Sequence, residues 1–480
     1  MKKNVITILL FLLAAVGIAA ASGPKREFRG AWLQTVWQDG YRTRTTAQNK
    51  AYLREQLDKL KAAGVNAVLF QVRPQSDAFY DSKIEPWSRF LTDGGAAPKP
   101  WWDPLEFMVE ECHARGMELH AWLNPYRVTG SAKQTLPRGH VYHKHPGRFV
   151  RYDGKLYFNP GLPENREFII KVVDDIISRY DVDGIHFDDY FYPYPVKGKE
   201  FADSKAFARY GGGMKLGDWR RRNVDMLIEE VHECIHRRKP WVRFGVSPFG
   251  IWRNKKTDPR GSDTNGLQNY DALYADVLLW EEKGWVDYLL PQLYWDLGHK
   301  SASYLVLVDW WNRNAGTKRH LYIGQDAERT MKSAELWRKV ELTRTADRVR
   351  GNCWWSGYSV TANKGGVADS LAARYQSVPA LVPSYPWISG ERPAAVSGLK
   401  AEHRRLSWKE AARRGRASDA VRYAVYRFDS REDVDTERDG ALVAVVGKPE
   451  YEACRAGVYV VTALSRVNVE SEPSSPVVIR

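Results

Sequence analysis

Strand-like and helix-like segments alternate eight times between residues 25 and 378. The strand-like ones are FRGAWLQTV (from Phe28), AVLFQVRP (Ala67), ELHAWLNP (Glu118), GIHFDDY (Gly184), RFGVSPFG (Arg243), YLLPQLYW (Tyr288), HLYIGQDA (His320) and GNCWWSGYSV (Gly351). Each is rich in aromatic or β-branched residues and bounded by turn formers. The stretches between them have helical periodicity. Tyr52, Leu53, Leu57 and Leu60 share one face before Gly64, and Asp103 and Pro104 open a segment that Gly116 closes. Parallel strands need crossover connections, and eight strand–helix units close a barrel. No GxGxxG or phosphate-loop pattern sits at a strand–helix turn, which argues against a doubly wound nucleotide-binding sheet. The expected fold is α/β, a (β/α)8 TIM barrel over residues 25–378.

The texture changes after the eighth unit. Residues 379–392 lie in a stretch rich in Pro, Ser and Gly and read as a linker. Residues 393–480 alternate apolar and polar side chains over short runs such as VRYAVYRF, the pattern of a small antiparallel β-sandwich. Few contacts are expected between this sandwich and the barrel. At the other end, Lys2 and Lys3 precede an apolar run and small residues up to Ala21. Residues 1–22 therefore read as a secretory signal peptide, with no stable membrane span once it is cleaved. The mature chain is expected to be periplasmic or secreted. Cys112, Cys234, Cys353 and Cys454 are scattered without framework spacing and read as mostly buried thiols, with room for one long-range disulfide. The formal net charge is +14. In an exported protein this excludes nucleic acid as a partner and suits either plain solubility or an acidic polymer.

Barrel active sites lie at the C-terminal ends of the strands. In the fourth strand, DGIHFDDYFYP sets His186, Asp188 and Tyr190 on one face and Asp189 on the other or at the rim. A carboxylate in a barrel mouth is costly to desolvate without a task or a partner. The plain alternative is an ion pair with an arginine such as Arg73. The other strand ends offer Trp32, Gln71 and Arg73 followed by Asp77, His120, Trp122 and Asn124, Ser247, then Gln292, Tyr294 and Trp295, and finally Trp354 or Trp355. Amides, indoles and carboxylates together suit a polyhydroxylated ligand. The 19 Trp and 25 Tyr supply flat faces beyond what a core needs.

Glycoside hydrolysis usually needs two carboxyl groups. Asp188 is the first candidate, with Asp189 beside it keeping one proton in the pair through like-charge repulsion. Asp77 is the first choice for a further carboxyl, ahead of Asp296, Asp326 and Glu328. Gln71, Arg73, His120, Trp122, Asn124, His186, Tyr190, Gln292, Tyr294 and Trp295 are expected to bind substrate. No cofactor and no metal are expected, since His140, His143 and His145 lie close together but in a loop without an acidic member. Two other readings are a metal-dependent polysaccharide deacetylase using Asp188, Asp189 and histidines, and a non-catalytic glycan-binding scaffold.

The runs EFRGAWLQTV, GVNAVLFQVRPQSDAFYDSKIEPWS, GMELHAWLNPYR, YFNPGLPENREF, VDGIHFDDYFYP, FGVSPFGIWRN and YLLPQLYW, in this order, resemble the glycosyl-hydrolase-like family ten. The resemblance covers nearly the whole barrel. It implies a TIM barrel that hydrolyses a glycan. Bacterial envelope enzymes that cleave peptidoglycan glycan strands are among the family, so it also implies a β-linked amino-sugar polymer as substrate. Members often carry a lipoprotein cysteine, and no cysteine lies near the expected cleavage site here. The C-terminal segment resembles a fibronectin type III module, with Trp408 in an early strand and Tyr426 and Tyr459 in later ones. Catalytic schemes of other barrel glycosidases do not transfer whole. The α-amylase-like clan has a glutamate after strand five, where this chain has Ser247, and chitinase-like enzymes have a glutamate where it has Tyr190.

Overall fold

The computed structural model describes residues 23–480, so the expected signal peptide lies outside the described residues. All eight strand-like segments become strands. In chain order they are β1 (Phe28–Leu33), β2 (Ala67–Arg73) and β3 (Glu118–Leu123), then, after a hairpin of β4 (Phe149–Tyr152) and β5 (Lys155–Phe158), β6 (Gly184–Phe187), β7 (Arg243–Val246), β8 (Tyr288–Leu289), β9 (His320–Asp326) and β10 (Val349–Trp355). Leaving out the hairpin, they close a barrel in the order β1–β10–β9–β8–β7–β6–β3–β2, with every pairing parallel. Strand β8 is cut short because Pro291 has no N–H to give the ladder. Contact resumes one residue later through isolated bridges of Gln292 to Phe249 and to Gly324.

Helices cover the barrel. Those used below are α1 (Thr46–Ala62), α2 (Pro104–Ala114), α3 (Pro163–Arg179) and α4 (Leu216–Arg238). Thr45 and Gln48 form a reciprocal capping box on α1. Asp103 caps α2, whose first residue is Pro104. Leu53, Leu57 and Leu60 are fully buried, as the helical stripe requires. Cys112, Cys234 and Cys353 are buried and Cys454 is exposed, all as free thiols, so the described residues contain no disulfide. No described helix is long and apolar enough to cross a membrane.

Beyond the barrel lie a three-stranded sheet, β11 (Lys400–Glu402), β12 (Arg405–Ser407) and β15 (Glu450–Glu452), and a four-stranded sheet, β14 (Leu442–Val446), β13 (Ala420–Phe428), β16 (Gly457–Ser465) and β17 (Val477–Ile479). All pairings are antiparallel, compatible with a small sandwich. The expectation of few contacts with the barrel is overturned. Residues 379–392 do not hang free: Glu27 N donates to the Leu381 carbonyl (2.9 Å), Tyr385 Oη meets Tyr322 Oη (2.8 Å), and Trp387 Nε1 donates to Asp287 Oδ1 (2.8 Å). Val382, Tyr385 and Val467 join Phe28, Leu69 and Tyr288 in the apolar core at the foot of the barrel. Arg422 of β13, only 3% exposed, reaches Glu118 of β3 (2.9 Å) and Asp183 before β6 (3.2 Å). The N-terminal end of a barrel exposes the starts of inward-facing side chains, and here the following segment and β13 close it.

Candidate active site

At the C-terminal end, a cavity of about 230 Å³ is lined by Trp32, Trp122, Asp188, Asp189, Tyr190, Tyr194, Ser247, Gln292, Tyr294 and Trp355. These residues come from six barrel strands or the turns that follow them, so closure of the sheet alone brings them together. A larger hollow of about 490 Å³ lies outside the barrel between α3 and α4, against Asp174, Cys234 and Arg238. Asp174 and Arg238 pair with each other there (2.8 Å).

Strand β6 ends at Phe187, and Asp188 and Asp189 follow on the rim. Both side chains reach the cavity, and both are almost fully buried. Asp188 makes no ion pair with Arg73. Its Oδ2 accepts hydrogen bonds from Trp122 Nε1 (3.1 Å) and Asn124 Nδ2 (3.0 Å). Burial, reinforced by the charge of Asp189, pushes its carboxyl up to about 7, against the opposing pull of Arg127. Burial raises Asp189 as well. Tyr194 Oη donates to Asp189, and Gln292 also hydrogen-bonds it, so Asp189 has the neighbours that favour a carboxylate. Both adjacent carboxyls thus have a raised affinity for protons, and the charge of Asp189 is among the causes that raise Asp188. Trp32, Trp122, Trp355 and Tyr294 stand edge-to-face around the pair, with centroids 6.1 to 6.4 Å apart. An acid, an anion and aromatic walls are the parts of a glycosidase subsite.

The chain matches the family described as Glycosyl hydrolase-like 10 over residues 27–338, from the start of the barrel into its last third. The chain belongs to this family. Glycosyl hydrolase YngK of Bacillus subtilis (strain 168) is 35% identical over 503 aligned residues, covering 98% of each chain. Glycosyl hydrolase DigH of Escherichia coli (strain K12) is 40% identical over 330, covering 64% of this chain and 74% of DigH. Among solved structures, the PgaB (BpsB) glycoside hydrolase domain from Bordetella bronchiseptica shares the fold, with a TM-score of 0.51 at 13% identity over 73% of this chain and 99% of that one. This glycosyl hydrolase-like family 10 protein is accordingly a glycoside hydrolase, and its substrate class is a polysaccharide.

In the family 10 barrel the remaining expected site residues divide. Trp122, Tyr190, Gln292 and Tyr294 line the cavity. Asn124 acts one step back: its Oδ1 accepts from Arg127 N (3.0 Å), which turns its amide nitrogen onto Asp188. Arg73, expected to bind substrate, does not line the cavity. It is fully buried, pairs with Glu85 (2.7 Å), and donates to the carbonyls of Asn124 (2.5 Å) and Pro125 (2.9 Å), so it braces the turn that carries Asn124. Gln71 accepts from Thr35 N and Val36 N (3.0 Å each) and fixes the turn after β1. Asp77, expected as the further carboxyl, is buried against Arg89 (3.1 Å) and is absent from the wall of the cavity that holds Asp188 and Asp189. Asp326 caps the helix after β9 through Arg329 N, Glu328 accepts from Ser359 Oγ, and neither they nor Asp296 lines the cavity. Trp295 packs on Phe249 beside the mouth rather than in it.

His120 and His186 lie beneath the cavity, in a chain of hydrogen bonds down the barrel axis. Trp32 Nε1 donates to His186 Nε2 (3.2 Å). An indole only donates, so His186 Nε2 accepts and its Nδ1 carries the proton. That proton points to Tyr288 Oη (3.0 Å), whose own hydrogen reaches His120 Nδ1 (2.8 Å), and His120 Nε2 donates to Glu118 Oε2 (3.1 Å). Burial holds His186 well below its usual range, in keeping with this neutral tautomer. The chain sets the floor of the cavity through Trp32 and ends at the carboxylate that Arg422 grips. Tyr194, which sequence reasoning missed, stands in the proline-bounded run after β6, where only its aromatic character was visible. Tyr194→Phe removes the phenol that donates to Asp189 and opposes the rise of its carboxyl, and should lower kcat about tenfold, the worth of one hydrogen bond to a charge. An unchanged kcat in steady-state assays removes Tyr194 from the site.

Proposed function

We propose that this enzyme hydrolyses the glycan strands of peptidoglycan, or a closely related β-linked amino-sugar polymer, in the periplasm or after secretion. The observation that carries the reading is the Asp188–Asp189 pair, with one carboxyl raised to about 7 inside a mouth walled by Trp32, Trp122, Trp355 and Tyr294. Asp188 gives its proton to the glycosidic oxygen as the bond to the leaving sugar breaks. Asp189 stabilises the positive charge that develops at the anomeric carbon, and water attacks that carbon, losing a proton that restores Asp188 to its acid form. The formal charge of +14 suits a polymer made anionic by lactyl carboxylates or stem peptides. The motif resemblance points to amino sugars, and the signal-peptide pattern of residues 1–22 points to export.

The test is incubation with purified wall glycans, with and without stem peptides, and weighing of the products by mass spectrometry. Fragments heavier by one water per cut support hydrolysis. Fragments lacking that water indicate lytic cleavage, and intact glycans that bind the protein indicate a scaffold. The pH dependence follows from the same pair. Asp188 must be protonated to act, so kcat/KM should fall as pH rises through about 7. The acid limb belongs to Asp189, which must be ionised and whose carboxyl titrates above its usual value. A profile flat from mildly acidic to alkaline pH removes Asp188 from the acid role.

A further inference from the structure

At the opposite end of the barrel, α4 carries His232 and His236 one turn apart, beside Asp287, the residue that precedes β8. His236 Nδ1 lies 3.1 Å from the Pro240 carbonyl oxygen. A carbonyl only accepts, so Nδ1 carries the hydrogen, and the neutral ring presents a lone pair at Nε2. That lone pair faces Asp287 Oδ2 at 3.3 Å, and Nε2 has no hydrogen-bond partner. A lone pair held against a buried carboxylate calls for a cation, either a second proton on the ring or a metal ion. A proton satisfies His236 alone. It leaves unexplained why His232 Nδ1 is also buried without a partner, on a ring whose centroid is 4.2 Å from that of His236.

The geometry points to a divalent-cation site formed by His232, His236 and Asp287, fitted to zinc or a similar borderline ion with water as the fourth ligand. The three donor atoms lie within 4.8 Å of one another. The 3.3 Å edge between His236 and Asp287 matches the donor–donor separation of a tetrahedral zinc site, about 3.4 Å for bonds of about 2.0–2.1 Å. Two histidines and a carboxylate are ordinary zinc ligands. The outer hydrogen bonds that orient such ligands are in place. Pro240 holds His236, Trp387 Nε1 holds Asp287 Oδ1 (2.8 Å), and Phe244 N holds Asp287 Oδ2 (2.8 Å). Arg319 is the like charge that bears on both rings. Its guanidinium is engaged elsewhere, over the Trp387 ring (5.2 Å) and at the Gly284 carbonyl (3.3 Å). An ion here ties α4 to the barrel foot and, through Trp387, to the segment leading into the C-terminal sheets. Its role is structural, remote from the mouth.

The full-length protein, stripped with EDTA and dialysed, is titrated with Co²⁺ and Zn²⁺. Co²⁺ is expected to bind stoichiometrically with the visible absorption of a four-coordinate ion, and Zn²⁺ to raise Tm. His232→Gln and His236→Gln should each weaken Co²⁺ binding by about tenfold or more, while His143→Gln, in an exposed loop, leaves it unchanged. Glycan cleavage should survive stripping. Failure of the folded wild type to bind either ion overturns the site and leaves a protonated His236–Asp287 pair in its place. Equal Co²⁺ affinity in His232→Gln overturns it as well.

Discussion

Asp188→Asn is expected to lower glycan cleavage by about 100-fold or more while the protein becomes more stable. The exchange keeps the side-chain volume and the acceptor for Trp122 Nε1 and Asn124 Nδ2, and it removes only the titratable group. Burial raises the folded pKa of Asp188 to about 7. A carboxyl raised on folding binds its proton more tightly in the native state. Stability is therefore undiminished below the unfolded pKa of about 4 and declines as pH rises toward the folded value. Removing the group removes that penalty. The Tm of Asp188→Asn should exceed that of the wild type at pH 8, with the difference vanishing near pH 4. Turnover within a few-fold of wild type, or a variant less stable at every pH, contradicts the assignment.

The second large effect lies far from the mouth. Arg422→Met is expected to cost about 3–5 kcal/mol, because it leaves Glu118 and Asp183 buried with one cation fewer. Burial opposes ionisation of Glu118, yet Arg243 and Arg422 hold its carboxyl well below the usual range. A depressed carboxyl contributes stability above its unfolded pKa, and this is lost as pH falls through the folded value. The difference between wild type and Arg422→Met in urea unfolding should therefore shrink in acid. For the same reason a fragment ending at Val378 should be insoluble or poorly folded. It lacks Val382, Tyr385, Val467 and Arg422, which cover the foot of the barrel. A soluble, active fragment would restore the picture of two independent units. An Arg422→Met protein with unchanged unfolding would do the same.

The division between expected site residues that line the cavity and those that do not has a physical pattern. Asp188, Asp189, Trp122, Tyr190, Gln292 and Tyr294 were legible because strand alternation and the end of the strand decide where such side chains emerge. Arg73, Gln71, His120 and Asp77 obey the same local rule, yet they brace turns or run through the barrel interior. What distinguishes them is a partner: Glu85, the Thr35 and Val36 amides, Tyr288 and Glu118, and Arg89. Arg73 and Glu85 are only 12 residues apart, but nothing in a local pattern says which polar group a buried arginine will choose. His232 and His236 were passed over because their helical spacing reads as an ordinary amphipathic face until Asp287 is brought beside them.

Periodicity, turn residues and caps are local, and they determined eight strands, the helices between them and therefore the closed barrel, since parallel strands joined by helices have few other ways to satisfy their backbone hydrogen bonds. The raised proton affinity of Asp188 and Asp189 depends on how deeply the pair is buried. The docking of the C-terminal sheets depends on Arg422 meeting a carboxylate 304 residues away. Those were decided only by tertiary structure, because desolvation and ion pairing act through space between groups whose separation along the chain carries no information about their distance.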